Sequence, residues 1–301
     1  GPDGDACDVA ESASMRRLLA LLSLALCRVV AVESAHDFGA KLERWRAMQV
    51  EFGLPRPELC AVLGGAEKGV LLYVDAAARG EGSLRVECQR ERALPEALVQ
   101  WESSSHASAD GSVKLFPRFG SSDGGWESGE GHGPRKELFR LIGEQMLGEG
   151  DSAAFAYHAS SRHHWFDATR ERSAPAEKLL RFCGWVMAQA ACNRAPLGVA
   201  LPPLLFEKLL RGAAFTPTMA HLEQFDPQAA QSLRAVSAMS DAEVAEVASL
   251  DDADGPTDRE GYVRAALDRL LVADCRWQFD ALCAGFSQAL PPALLAPLVL
   301  S

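Results

Sequence analysis

Between Ala176 and Asn193 the chain reads AEKLLRFCGWVMAQAACN, with apolar side chains on nearly every face of the helix it would form. A surface helix keeps one polar face, whereas a helix that is apolar all round has to be enclosed by other elements. Charge is confined to the ends, with Glu177, Lys178 and Arg181 at the start and Arg194 at the close. Ser173 is placed to cap the helix, and Pro175 suits its first turn, where a missing N–H costs nothing. Gly184, Ala188 and Ala191 are small enough to let neighbouring helices approach closely. The run is too short for a bilayer and its flanks are polar, so it is a central helix and not a membrane span.

A chain of 301 residues, 48% hydrophobic and 24% charged, has ample material for such a core in one large domain or two modest ones. Its net charge of −11 argues against nucleic acid as the main partner, since phosphate contact needs a basic footprint. Eight cysteines are scattered without a CxxC pair. Cys183, Cys192 and Cys283 sit in apolar helical contexts, which points to reduced, buried thiols and a cytoplasmic, intracellular setting.

Residues 1–14 are small and acidic and read as a disordered lead-in. Met15 to Ala35 has features of a secretory signal, but Arg28 interrupts it and an acidic segment precedes it, so a helix packed on a neighbour is the preferred reading. A second amphipathic stretch runs from Asp37 to Phe52. Alternating Leu84, Val86 and Cys88 mark a strand, and Ala93 to Trp101 a short helix. Ser112 to Phe119 alternates Val113, Leu115 and Phe116/Phe119 as a second strand, although Pro117 would place its end there. A glycine-rich loop then feeds the helix PRKELFRLIGEQML. Phe155 to Ala168 reads as two short strands around a polar turn, and further helices are expected at 201–212, 258–272 and 275–289. The chain closes on an apolar LPPALLAPLVLS, which reads as truncated or continuing into something else.

Three chemical readings fail on spacing. The glycine loop imitates a phosphate cradle, but Gly129, Gly131 and Gly133 match neither G-x-G-x-x-G nor a P-loop. His158, His163 and His164 lack a nearby cysteine pair for zinc, and adjacent His163 and His164 point to opposite faces of a strand, so they read as surface histidines. Asp252 and Asp254 resemble part of a calcium loop whose first and twelfth positions, Leu250 and Gly261, are not acidic. No metal or cofactor is expected.

Seven segments fall in a familiar order: LRVECQRERALPEAL; GEGHGPRKELFRLIGEQML, with Gly133, Lys136, Glu137 and Phe139; FAYHAS; FCGWVMAQA followed by LPPLLFEKLLRG; LEQFDPQAAQSL; DREGYVRAALDRLL; and QFDALCAGFSQALP. From about Ser83 to Leu298 the chain resembles the N-terminal lobe of a HECT-type ubiquitin ligase. The resemblance implies an α+β, mostly helical fold: a HECT N-lobe-like domain over 83–301, with a large subdomain and a shortened small subdomain at about 213–263. Residues 1–82 would form a helical N-terminal extension. The chain departs from the family at His132, in place of one of the paired glycines, and at Leu138, in place of an aromatic. The segment between Met239 and Tyr262 is short, and the family's strand pair there is missing.

The resemblance implies docking of a ubiquitin-conjugating enzyme, with ubiquitin and protein substrates as further partners. The apolar groove for that enzyme maps by position onto Leu233, Val236, Met239 and Tyr262; alternatively, these side chains fill the small subdomain's own core. The family's thioester-forming cysteine belongs to a C-terminal lobe that should begin where this sequence ends. No cysteine here inherits that role, and no catalytic residue is expected. The competing reading is a non-catalytic binding or scaffold protein built on a degenerate lobe.

Overall fold

The structure is a computed structural model that describes residues 82–291 except 108–110, 122, 123, 128–131, 148–152, 160, 194, 252–255 and 257. The apolar stretches within 15–52, together with Cys7, Cys27 and Cys60, lie outside the described residues. The order is β1 (Gly82–Cys88), α1 (Ala93–Glu102), β2 (Val113–Phe119), α2 (His132–Met146), β3 (Ala156–His158), β4 (His163–Trp165), α3 (Ala174–Cys192), α4 (Pro203–Arg211), α5 (Met219–Phe225), α6 (Pro227–Ser237), α7 (Asp241–Asp251), α8 (Arg259–Asp268) and α9 (Arg276–Ala289). The fold is α+β and mostly helical, and no described helix is long and apolar enough to cross a membrane.

Helix α3 is the buried centre. Leu180, Phe182, Cys183, Trp185, Val186 and Ala188 are all 1% exposed or less. Ser173 Oγ accepts from the Ala176 N–H, and the proline stands in the first turn. Its partner is α9, and the two cross on glycines. A Cβ at Gly184 would stand 1.9 Å from Leu282 O, and one at Gly285 would stand 1.8 Å from Arg181 O. The two backbones are therefore in direct contact, as the small residues anticipate at Gly184 and Ala188; Ala191 instead faces outward. Trp101 of α1 closes over Phe182 and Trp185, with ring centroids 5.3 and 5.8 Å away. The charged ends of α3 also serve α1, through the Lys178–Glu102 ion pair and a 3.0 Å bond from Arg181 to Ala107 O.

Strands β1 and β2 pair in parallel, Gly82 opposite Val113 through Cys88 opposite Phe119, with α1 as the crossover. The second strand does not end at Pro117; it runs on to Phe119. The Val113 N–H bonds Gln189 Oε1 at 2.9 Å and Leu115 O accepts from Arg135 Nε at 3.0 Å, so odd-numbered residues turn their backbone polar groups to the outer edge. Pro117 falls in that set, where a missing N–H breaks no ladder bond. Asn193 Nδ2 reaches Val113 O (3.2 Å) and Gln189 Nε2 reaches Gly111 O (3.1 Å). On the far side Gln100 bonds both the N–H and the carbonyl of Glu87, at 2.9 and 2.7 Å. Side chains thus occupy ladder positions on both edges of the sheet.

The expected hairpin is present, with β3 and β4 antiparallel and His158 opposite His163. Arg162 takes φ 57° in its turn. The helix expected over 258–272 divides into α8 and a π-helical turn, Arg269–Ala273, that leads into α9.

Candidate functional site

The segment 215–251 carries scattered apolar residues with no strong period, yet it folds as three short helices because each has a dedicated cap. Thr218 and His221 form a reciprocal capping box on α5, and His221 Nε2 lies 3.1 Å from Glu207 Oε2 of α4. Asp226 ends α5 and starts α6, its Oδ1 accepting from the Gln228 and Ala229 N–H groups at 3.1 Å each. Ser240 and Glu243 cap α7 reciprocally: the Ser240 N–H donates to Glu243 Oε2 at 2.8 Å, and the Glu243 N–H returns to Ser240 Oγ at 3.4 Å. Asp258 Oδ1 caps α8 through the Gly261 N–H at 2.8 Å. The Arg259 N–H donates to Asp241 Oδ1 at 3.2 Å, which brings the first turns of α7 and α8 together. Helix α7 fills the stretch where the resemblance finds no strand pair.

The four residues expected to form the docking groove differ in placement. Leu233 is 6% exposed and belongs to the main hydrophobic core. Tyr262 is half-buried and packs against that core from α8. Val236 and Met239, at the end of α6, are half-buried and lie outside the core cluster. Helix α6, with Leu233 and Val236, packs on α8, with Tyr262, and Met239 follows α6 in a bend.

Cys88, Cys183 and Cys275 are held away from the thiolate form. Burial pushes Cys88 up to about 12 and raises Cys183 further. Cys275, between Asp274 and Arg276, is 1% exposed, and its polar contacts include Lys208 and the Leu271 carbonyl. Burial raises its pKa despite Lys208 Nζ 3.8 Å away. Thiolate chemistry needs a lowered pKa and access. The described cysteines form no disulfide and are buried, apart from half-buried Cys283.

Gly129 and Gly131 of the glycine loop lie outside the described residues, but the loop's Glu127 is placed. At its mouth Arg90 forks onto Glu127, with both bonds at 2.8 Å, and donates from Nε to Glu137 at 2.8 Å. These carboxylates raise the Arg90 pKa and would repel a phosphate. The three histidines are half-buried rather than on the surface. The His158 ring meets Phe225 at 5.0 Å and the His164 ring meets Tyr157 at 5.2 Å. Burial, followed by His158 and His163, lowers the His164 pKa. Among the described residues no cluster of three or more His, Cys, Asp or Glu could hold a metal.

A cleft of about 1160 Å³ opens between α1, the hairpin and the start of α3, lined by Leu94, Leu98, Tyr157, His164 and Leu179 among others. It takes no residue from α5–α8, so it is separate from the expected docking face.

Residues 135–252 match the family model of the HECT domain (ubiquitin-transferase), a span from the first turn of α2 through α7. No curated protein matches the chain. The matched segment, which contains Leu233, Val236 and Met239 of the four expected groove residues, is similar to the HECT domain of ubiquitin transferases, in keeping with the resemblance read from the sequence.

Proposed function

We propose that this chain is the conjugating-enzyme-docking lobe of a HECT-type ubiquitin-protein transferase, with residues 83–301 as the lobe and about 213–263 as its docking subdomain. The observation that carries the reading is the end of α6, where Val236 and Met239 stand partly open, outside the hydrophobic core, within the family-matched segment. An aromatic or aliphatic side chain of the partner, pressed against such a patch, would supply most of the docking energy. Tyr262 stands half-buried on α8, which packs on α6, and Leu233 anchors α6 in the core. Ubiquitin arrives as the partner's cargo, and the cytoplasm is the compartment where such an exchange takes place.

The test is a titration of the chain with a ubiquitin-charged conjugating enzyme. Saturable binding that Val236→Asp removes, with the circular dichroism spectrum unchanged, is the expected result; absence of binding by the unmodified chain would overturn the reading. A second reading, a non-catalytic scaffold, draws on the buried, high-pKa state of Cys88, Cys183 and Cys275. It predicts the same binding without any reductant-sensitive ubiquitin adduct on the full-length protein.

A further inference from the structure

Charge is unevenly spread along this chain. Residues 219–268, which hold α5–α8, contain eleven Asp and Glu against three Arg and no Lys, a formal −8 of the chain's −11. The other 251 residues carry 30 acidic against 27 basic side chains and are nearly balanced.

Four of the eleven stand where α7 and α8 begin, next in sequence to two of the expected docking residues. The bond from the Arg259 N–H to Asp241 Oδ1 joins the first turns of α7 and α8, and Asp241, Glu243, Asp258 and Glu260 are all exposed at that junction. Met239 lies two residues before Asp241, and Tyr262 two residues after Glu260. Of the three arginines, Arg234 is held bidentately by Glu223, at 3.1 and 2.6 Å. Capping accounts for Asp226, Glu243 and Asp258, but Glu246 and Glu260 cap nothing in the observed bonds and remain exposed.

We infer that this face selects its partner by charge, taking a ubiquitin-conjugating enzyme whose docking surface sets lysines and arginines around an apolar anchor. The inference rests on the docking reading above and adds the chemistry of the partner. An acidic rim around a small apolar patch attracts a basic surface over roughly a Debye length, about 10 Å at 0.1 M salt, and repels an acidic one before contact. The apolar patch is small, so discrimination falls to the rim.

The experiment compares two conjugating enzymes of the same fold, one with a basic and one with an acidic docking surface, at about 50 and about 500 mM salt. We expect the basic-surfaced enzyme to bind more tightly, with its affinity falling about tenfold across the salt range. Glu246→Lys combined with Glu260→Lys, both exposed positions, should reproduce that loss at low salt with the fold intact. Equal affinity for the two enzymes, or salt-insensitive binding, would overturn the charge inference and leave docking standing. Failure of both enzymes to bind at either salt concentration would overturn docking, and the charge inference with it.

Discussion

Lys208 Nζ donates to the carbonyl oxygen of Leu271 across 2.9 Å, and the same nitrogen stands 4.3 Å from the centroid of the Phe279 ring. Leu271 lies in the π-helical turn between α8 and α9, where the extra residue disturbs the regular ladder. A lysine from α4, only 4% exposed, therefore ties down the joint between the two last described helices. Burial lowers its pKa, offset in part by Cys275 and Asp280.

Lys208→Met keeps the aliphatic stem but leaves the Leu271 carbonyl without that donor, for an expected loss of about 1–3 kcal/mol. Lys208→Ala adds a cavity and should cost about 2–5 kcal/mol. Urea midpoints give both values. Because the folded pKa is depressed, the native state releases this proton before the unfolded chain does. Relative to Lys208→Met, the unmodified protein should gain stability as pH rises through the folded pKa toward the free-lysine value of about 10.4.

Gly184→Ala places a methyl group 1.9 Å from Leu282 O, a backbone atom that can move only if α9 moves. Overpacking of this kind costs about 1–3 kcal/mol, with more where two helix backbones must part. Gly133→Ala is the control: apart from its chain neighbours nothing lies within 4 Å of its Cβ, and any gain in helix propensity is set against the Pro134 ring that follows. Thermal melts should show a large drop for Gly184→Ala and a small shift for Gly133→Ala.

His164 carries a pH-dependent contribution. Its folded pKa is lowered by burial, then by His158 and His163, so the unfolded chain takes up the proton first as pH falls. The stability involved is fully present above the free-histidine value of about 6.5 and is lost as pH falls through the lower folded pKa. Urea unfolding of the unmodified protein and of His164→Gln between pH 5 and 7.5 should show the steeper acid loss in the former.

Leu233 and Val236 sit three residues apart on α6 and should respond differently to the same substitution. Leu233→Asp buries a charge in the core and should melt α5–α8 outright. Val236→Asp meets water and should change stability by about 0.5 kcal/mol or less while removing conjugating-enzyme binding. Circular dichroism and a binding titration on both variants separate the roles.

Period and capping chemistry made much of this fold legible. The all-round apolar pattern of α3 identified the enclosed helix, and Ser173 with Pro175 set its start. Alternation located β1, β2 and the hairpin, because a period of two leaves few other options. Pro117 misled because one residue cannot reveal which way a backbone nitrogen faces until a partner strand fixes the ladder. Helices α5–α7 were hard to read because their stability comes from short-range caps at Thr218, Asp226 and Ser240 rather than from a long apolar stripe. In the candidate site, spacing put Leu233 and Val236 on one helix. Which of them reached the surface depended on α8, whose approach is decided by tertiary packing. Lys208 stood in a motif segment with no local sign that its amine would be buried, since Leu271 lies 63 residues away.

The amides of Gln100 and Gln189 stand where further strands would lie beside β1 and β2. The outer edges of both strands are therefore completed by side chains of α1 and α3 and not by further strands. A substitution that loosens α3 would release Gln189, and with it the N–H of Val113, exposing a bare ladder edge to other chains. Damage at the centre of this fold would then show itself as aggregation at the strands rather than as loss of helix.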